Sequence, residues 1–217
     1  MTYIPGPAHR APPMPLEDLK AELLRHRLAS YHRTRGGWPI ALAGAIYWAV
    51  LAVLGTQLPF EAWRMAALWG GGLLIPLAWL IARIARNPVF TDKTAHGSVT
   101  VAAFVSLWLV LVMLFAVEAE APRSFPLIYA VVVSVHWPAI GWGYGKTGLY
   151  SAQAVIRVLL ISAAFVLLPD HRTVLIPAIV AATYLGVIAV MLWQTRDRSE
   201  DDPSAPARAP AGAASSG

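Results

Sequence analysis

"TVLIPAIVAATYLGVIAVMLW", residues 173–193, runs for 21 positions without a single Asp, Glu, Lys or Arg. A hydrocarbon core of roughly 30 Å is crossed by about 20 apolar residues rising 1.5 Å each, so this stretch is long enough to span a membrane. Five further runs read the same way: 38–57, 63–84, 98–117, 125–143 and 148–168. Across the chain 57% of residues are hydrophobic and 13% charged, with mean hydropathy +0.56. A soluble domain carries about 25% charged residues. The expected fold is therefore all-α and integral to a membrane, a bundle of six transmembrane helices. The first apolar run follows a polar region too long for an ordinary signal peptide and is expected to be an uncleaved span.

Basic residues give the orientation. One side of the six-span arrangement collects Arg10, Lys20, Arg25, Arg27, Arg33, Arg35, Arg83, Arg86, Lys93, Lys146, Arg196, Arg198 and Arg208. The other holds Arg64, Arg123 and Arg172. Under the positive-inside rule both termini are cytoplasmic, and the tally works only with an even number of spans. Trp38, Trp63, Trp142 and Trp193 fall at predicted span ends, where indoles favour the headgroup level.

The chain divides accordingly. Residues 1–14 and 195–217, rich in Pro, Ala, Ser and charge, cannot bury enough apolar surface to fold and are expected to be disordered tails. Residues 36–194 form the six-helix domain. Between lies 15–35, where Leu16, Leu19, Leu23, Leu24, Leu28 and Tyr31 recur at three- and four-residue steps. Pro15, Glu17 and Asp18 make a helix start, and basic residues dominate the second half. An amphipathic cytoplasmic helix is expected there. It either lies on anionic lipid headgroups or packs on the protein's own loops.

The basic residues cluster at membrane edges, so a nucleic-acid partner is not expected despite the pI of 9.8. No cysteine is present, which removes disulfides, thiol catalysis and iron–sulfur ligation. Asp92 and His96 are four apart, too few for a metal site. Glu118 and Glu120 read as solvated residues of an outer loop. No catalytic motif, cofactor or metal is expected, and the chain does not read as an enzyme.

"HWPAIGWGYGKTG", residues 136–148, contains two misleading signals. A P-loop needs glycine five positions before Gly145, and Ile140 stands there with no strand before it. A potassium filter needs its threonine and a re-entrant segment, and here Trp142 precedes Gly143, Tyr144 and Gly145. The remaining reading is an elbow: Pro138 kinks the span, and Gly141, Gly143 and Gly145 make the turn.

Arg157 lies mid-span, and no carboxylate falls inside any predicted span. Counting along antiparallel helices from a turn near 145 brings His136 within about 5 Å of the depth of Arg157. Gln153 is one turn away on the same face, and Tyr184 sits near the middle of the last span. His136, Gln153, Arg157 and Tyr184 form a candidate midplane polar site. Rich in donors and without negative charge, it suits an anion, a lipid headgroup or a small polar solute better than a metal. The alternative is structural, with Arg157 bonding carbonyls freed by the Pro138 kink. Small-residue stripes at Ala41/Ala45/Ala49 and Ala178/Ala182/Gly186 are expected to pack within the bundle or between subunits of a homo-oligomer. "LIP" at 74–76 and 175–177, and "WP" at 38–39 and 137–138, are too short to establish an internal repeat.

From "RGGWPIALAGAIYWAV" through "WGGGLLIPLAWLIARIARNPVF" to "HWPAIGWGYGKTGLY", the chain resembles an uncharacterised bacterial family of small polytopic membrane proteins, over about residues 33–193. The resemblance implies a helical bundle in the bacterial inner membrane and carries over no catalytic residues. Two functions are expected: a small permease or channel-like protein using the midplane site, or a non-transporting membrane scaffold or regulatory subunit with a structural Arg157.

Overall fold

Among the described residues eight α-helices and four short 3-10 turns are complete, and no strand occurs. The structure is a computed structural model describing residues 14–92, 105 and 121–196. The expected span 98–117 apart from Val105, together with His96, Glu118, Glu120 and both expected tails beyond those limits, lies outside the described residues.

Helix α1 (Leu16–Arg33) opens after Pro15 with Glu17 and Asp18 in its first turn and closes with His32 and Arg33 in its last. Each end thus complements the helix dipole. The chain then reverses through Arg35, Gly36 and Gly37, all at positive φ. Glycine is needed at the second of these positions, where a Cβ would meet Met191 and the Tyr31 ring within 3.0 Å.

Helix α2 (Trp38–Leu54) starts with Pro39 in its first turn. Its far end comes so close to the last helix that a Cβ on Gly55 would lie 2.2 Å from the Thr173 carbonyl oxygen. The expected span 63–84 is broken. Helix α3 (Phe60–Gly71) and helix α4 (Leu74–Ile84) meet at 52°. Gly70, Gly71 and Gly72 weaken the helix at that point, and Pro76 lacks the donor that would continue the ladder across it.

The expected span 125–143 is broken as well. Helix α5 (Phe125–Val132) and helix α6 (Trp137–Gly143) flank a turn at 133–136. Pro138 occupies the first turn of α6, so it opens a short helix and does not bend a continuous one. Helix α7 (Thr147–Leu167) and helix α8 (Arg172–Gln194) are long and continuous, and Pro177 sits within α8.

Four stretches are long and apolar enough to cross a membrane among the described residues: 35–54, 122–143, 147–167 and 169–194. The α3–α4 pair makes five if it counts as one span.

The core lies between α2, α5, α7 and α8. At its α3 end Trp63, fully buried, donates to the Leu51 carbonyl at 2.9 Å. Trp63 thus stands in the first turn of α3, at the end of the expected span, with its indole packed inside the protein. Tyr47 and Tyr129 share a hydroxyl contact of 2.9 Å, and both bond the Ala67 carbonyl. Of the two small-residue stripes, Ala41 and Ala45 face the core. Ala178, Ala182 and Gly186 face outward, and nothing comes within 4 Å of a Cβ on Gly186.

Helix α1 lies across the end of the bundle where α2 begins and α8 finishes. Asp92 accepts from Ser30 and pairs with Arg33 at 2.9 Å. Asn87 donates to the Thr34 carbonyl at 2.7 Å, and Tyr31 donates to Gln194 at 3.0 Å. The face expected to meet lipid or loop is therefore divided: Tyr31 is buried on the protein, while Leu16, Leu19 and Leu23 remain exposed.

Candidate functional site

A mid-helix arginine must satisfy five N–H donors or leave them stranded in an apolar environment. Arg157, on α7, has no exposed surface. Its Nε donates to Thr183 Oγ1 at 2.8 Å, one terminal nitrogen donates to Gln153 Oε1, and the other reaches Ser134 Oγ at 3.5 Å. The guanidinium carbon lies 4.0 Å from the Tyr184 ring centroid. Each partner stands where its helix puts it. Gln153 is one turn before Arg157, Thr183 and Tyr184 are neighbours on α8, and Ser134 sits in the α5–α6 break.

These partners are themselves anchored. Thr183 donates to the Val180 carbonyl at 2.8 Å, and Ser134 to the Ala130 carbonyl at 2.7 Å. Trp137 Nε1 donates to the Tyr184 hydroxyl at 3.1 Å. The Tyr184 ring lies against α2 because residue 44 is glycine, whose added Cβ would approach the ring to 3.1 Å.

The donors outnumber the acceptors. Gln153 Oε1 accepts from Arg157, which fixes the amide orientation and leaves Gln153 Nε2 buried with no partner among the described residues. Two of the five Arg157 N–H groups likewise have no described acceptor. No Asp or Glu pairs with Arg157 among the described residues.

Of the expected site residues, Gln153, Arg157 and Tyr184 come together. His136 is buried and stacked at an angle on Trp137, with centroids 5.3 Å apart. Thr183, Ser134 and Trp137 were not singled out by sequence. Their one signal was a polar atom at the depth of Arg157. The carbonyls freed at the helix break are not the described partners of Arg157; side-chain oxygens are.

The elbow residues serve a different contact. Gly141 is pressed on α7, where a Cβ would come 2.5 Å from that of Tyr150, and Gly143 is buried at the end of α6. Gly145 holds φ +67°, with its surface against Leu24 and Leu28 of α1. Arg27 donates to the Trp142 carbonyl and lies 4.2 Å from its ring centroid. The elbow is thus the seat of α1. Asp92 anchors α1 through Ser30 and Arg33. No group of three potential metal ligands occurs among the described residues.

Long apolar helices packed around a sealed arginine define an all-helical protein compatible with a membrane setting. The chain belongs to DUF7010, a family of unknown function, which it matches over residues 23–195. No curated protein and no solved structure matches it.

Proposed function

We propose that the chain is a six-span membrane protein with both termini cytoplasmic, and that the Arg157 cluster binds an anion or small polar solute in a permease-like or channel-like protein. The observation that carries this is the donor surplus at Gln153 Nε2 and Arg157, buried with no carboxylate among their described partners. A buried donor without an acceptor costs about 1–3 kcal/mol, and a ligand offering oxygens recovers that loss. The break between α5 and α6 lies beside the cluster, the arrangement that lets a helix rearrange around a bound solute.

The second reading, a non-transporting scaffold or regulatory subunit, draws on the complete burial of Arg157. There the cluster only clamps α7 to α8.

Reconstitution in liposomes with a panel of inorganic anions and small polar solutes separates the two. Transport predicts flux that falls at least tenfold in Arg157→Lys and Gln153→Met, with both variants folded. Flux absent from wild type, or unchanged in both variants, leaves the scaffold reading. Reporter fusions at residue 120 and at the C-terminus test the topology, and an external C-terminus overturns it.

A further inference from the structure

Where α8 ends, the chain leaves an open cavity of about 510 Å³ lined by Arg35, Ala189, Leu192, Trp193, Thr195 and Arg196. Its size lies within the range of small-ligand sites. Two arginines line it, and among the described residues neither has a carboxylate within ion-pair distance. The negative end of the α8 dipole also points here, but it amounts to about half a charge against two full positive ones. Thr195 Oγ1 further occupies the Met191 and Leu192 carbonyls at 2.9 and 3.3 Å.

Beyond the arginines the lining turns apolar. Trp193 is 69% exposed, and Leu192 and Ala189 continue the wall onto the outward face of α8, where Gly186, Ala182 and Ala178 follow at three- and four-residue steps. A ligand matching this order has an anionic group at one end and a hydrocarbon chain at the other. Arg35 is held at φ +49°, a backbone region that arginine seldom adopts. The turn into α2 therefore fixes where its side chain starts.

We infer that this cavity is a binding site for an anionic phospholipid, with the phosphate between Arg35 and Arg196, Trp193 at the glycerol level and an acyl chain along the small-residue face of α8. The site is separate from the Arg157 cluster. The inference rests on the membrane reading proposed above.

The full-length protein is purified in a non-ionic detergent, delipidated and titrated with phosphatidylglycerol or phosphatidylcholine, and bound lipid is counted by native mass spectrometry. Arg35→Asn tolerates the positive φ, and Arg196→Gln is an exposed change, so both keep the fold. Each arginine is expected to contribute about fivefold to affinity for the anionic lipid. The double variant therefore loses about 25-fold, while Lys20→Gln/Arg25→Gln on α1 loses less than twofold. Equal retention of the two lipids, or an unchanged double variant, overturns the site.

Two other occupants have their own signatures. Millimolar inorganic phosphate displacing the phospholipid completely would make this a free-anion site and overturn the lipid assignment. Glu200, Asp201 and Asp202 follow Arg196 closely in sequence. Lipid binding that emerges only after all three are neutralised would make the chain's own tail the occupant, again overturning the proposal. Failure of the membrane reading is distinct: the protein would be released from cell membranes by alkaline carbonate without detergent. A protein that resists carbonate yet shows no lipid preference sinks this site alone.

Discussion

The guanidinium carbon of Arg157 sits 4.0 Å from the centre of the Tyr184 ring, and the same ring is packed against Gly44. Three helices therefore meet through one aromatic side chain. A charge-to-ring contact removed from water is worth about 2 kcal/mol, more than a typical exposed ion pair.

Tyr184→Phe keeps that ring and removes only the acceptor for Trp137 Nε1. It is expected to cost about 1–3 kcal/mol in detergent-based unfolding, the loss expected for a stranded buried donor. Tyr184→Leu is expected to cost roughly 2 kcal/mol more, because the cation loses its π face. Equal losses in the two variants would show that the ring face contributes nothing.

Glycines test the packing without touching charge. A Cβ on Gly55 meets backbone of α8 at 2.2 Å, so Gly55→Ala must push α2 and α8 apart. The expected cost is about 1–3 kcal/mol, the usual range for overpacking. Gly186→Ala meets nothing and should be neutral or stabilising by up to about 1 kcal/mol through helix propensity. Melting temperatures of the two variants should move in opposite directions, or only the first should move.

Asp92 ties α1 to the bundle through Ser30 and Arg33, with its own side chain 9% exposed. Asp92→Asn leaves a weaker acceptor for Arg33 and is expected to cost about 1 kcal/mol. The measurable result is faster proteolysis between α1 and α2, while the apolar helices keep their protection. Unchanged cleavage would mean that Asn87 and Tyr31 hold α1 unaided.

The same end of the molecule carries a pH dependence. Burial pushes the Tyr31 phenol up to about 12, helped by the Tyr144 charge. Burial likewise raises Tyr144 to about 12, against a hydrogen bond with Thr34 that lowers it. Both folded values exceed the unfolded value near 10. Their contribution to stability is thus fully present below about pH 10 and is lost as pH rises through about 12. Ultraviolet titration should show late tyrosinate formation that diminishes in Tyr31→Phe and Tyr144→Phe.

Length and apolar content were enough to place α2, α7 and α8 within about three residues, because each is a single uninterrupted run. The Gln153–Arg157 contact was equally legible, since one helical turn fixes it regardless of tertiary context. The breaks at 71–74 and 133–136 were not. Glycine and proline are both tolerated in apolar helices, and whether the helix parts depends on what packs against it. At 70–71 the tyrosines of neighbouring helices fill the space: a Cβ on Gly71 would meet the Tyr129 hydroxyl at 2.8 Å. Thr183 and Ser134 escaped notice because a hydroxyl in an apolar helix usually bonds its own backbone, as both also do here. The docking of α1 was undecidable from its leucines. Its anchors at Asp92, Trp142 and Gln194 are separated from it by 59 to 163 residues.

That separation has a consequence for how the chain is made. Helix α1 leaves the ribosome well before Gln194, the partner of Tyr31, which follows 163 residues later. At about 5–20 residues per second, α1 waits roughly 8–30 s for its last anchor. During that interval its leucines are uncovered and open to chaperones or a lipid surface. Its docking is then a closing step that reports arrival of α8, so truncation before Gln194 would leave α1 without its final latch.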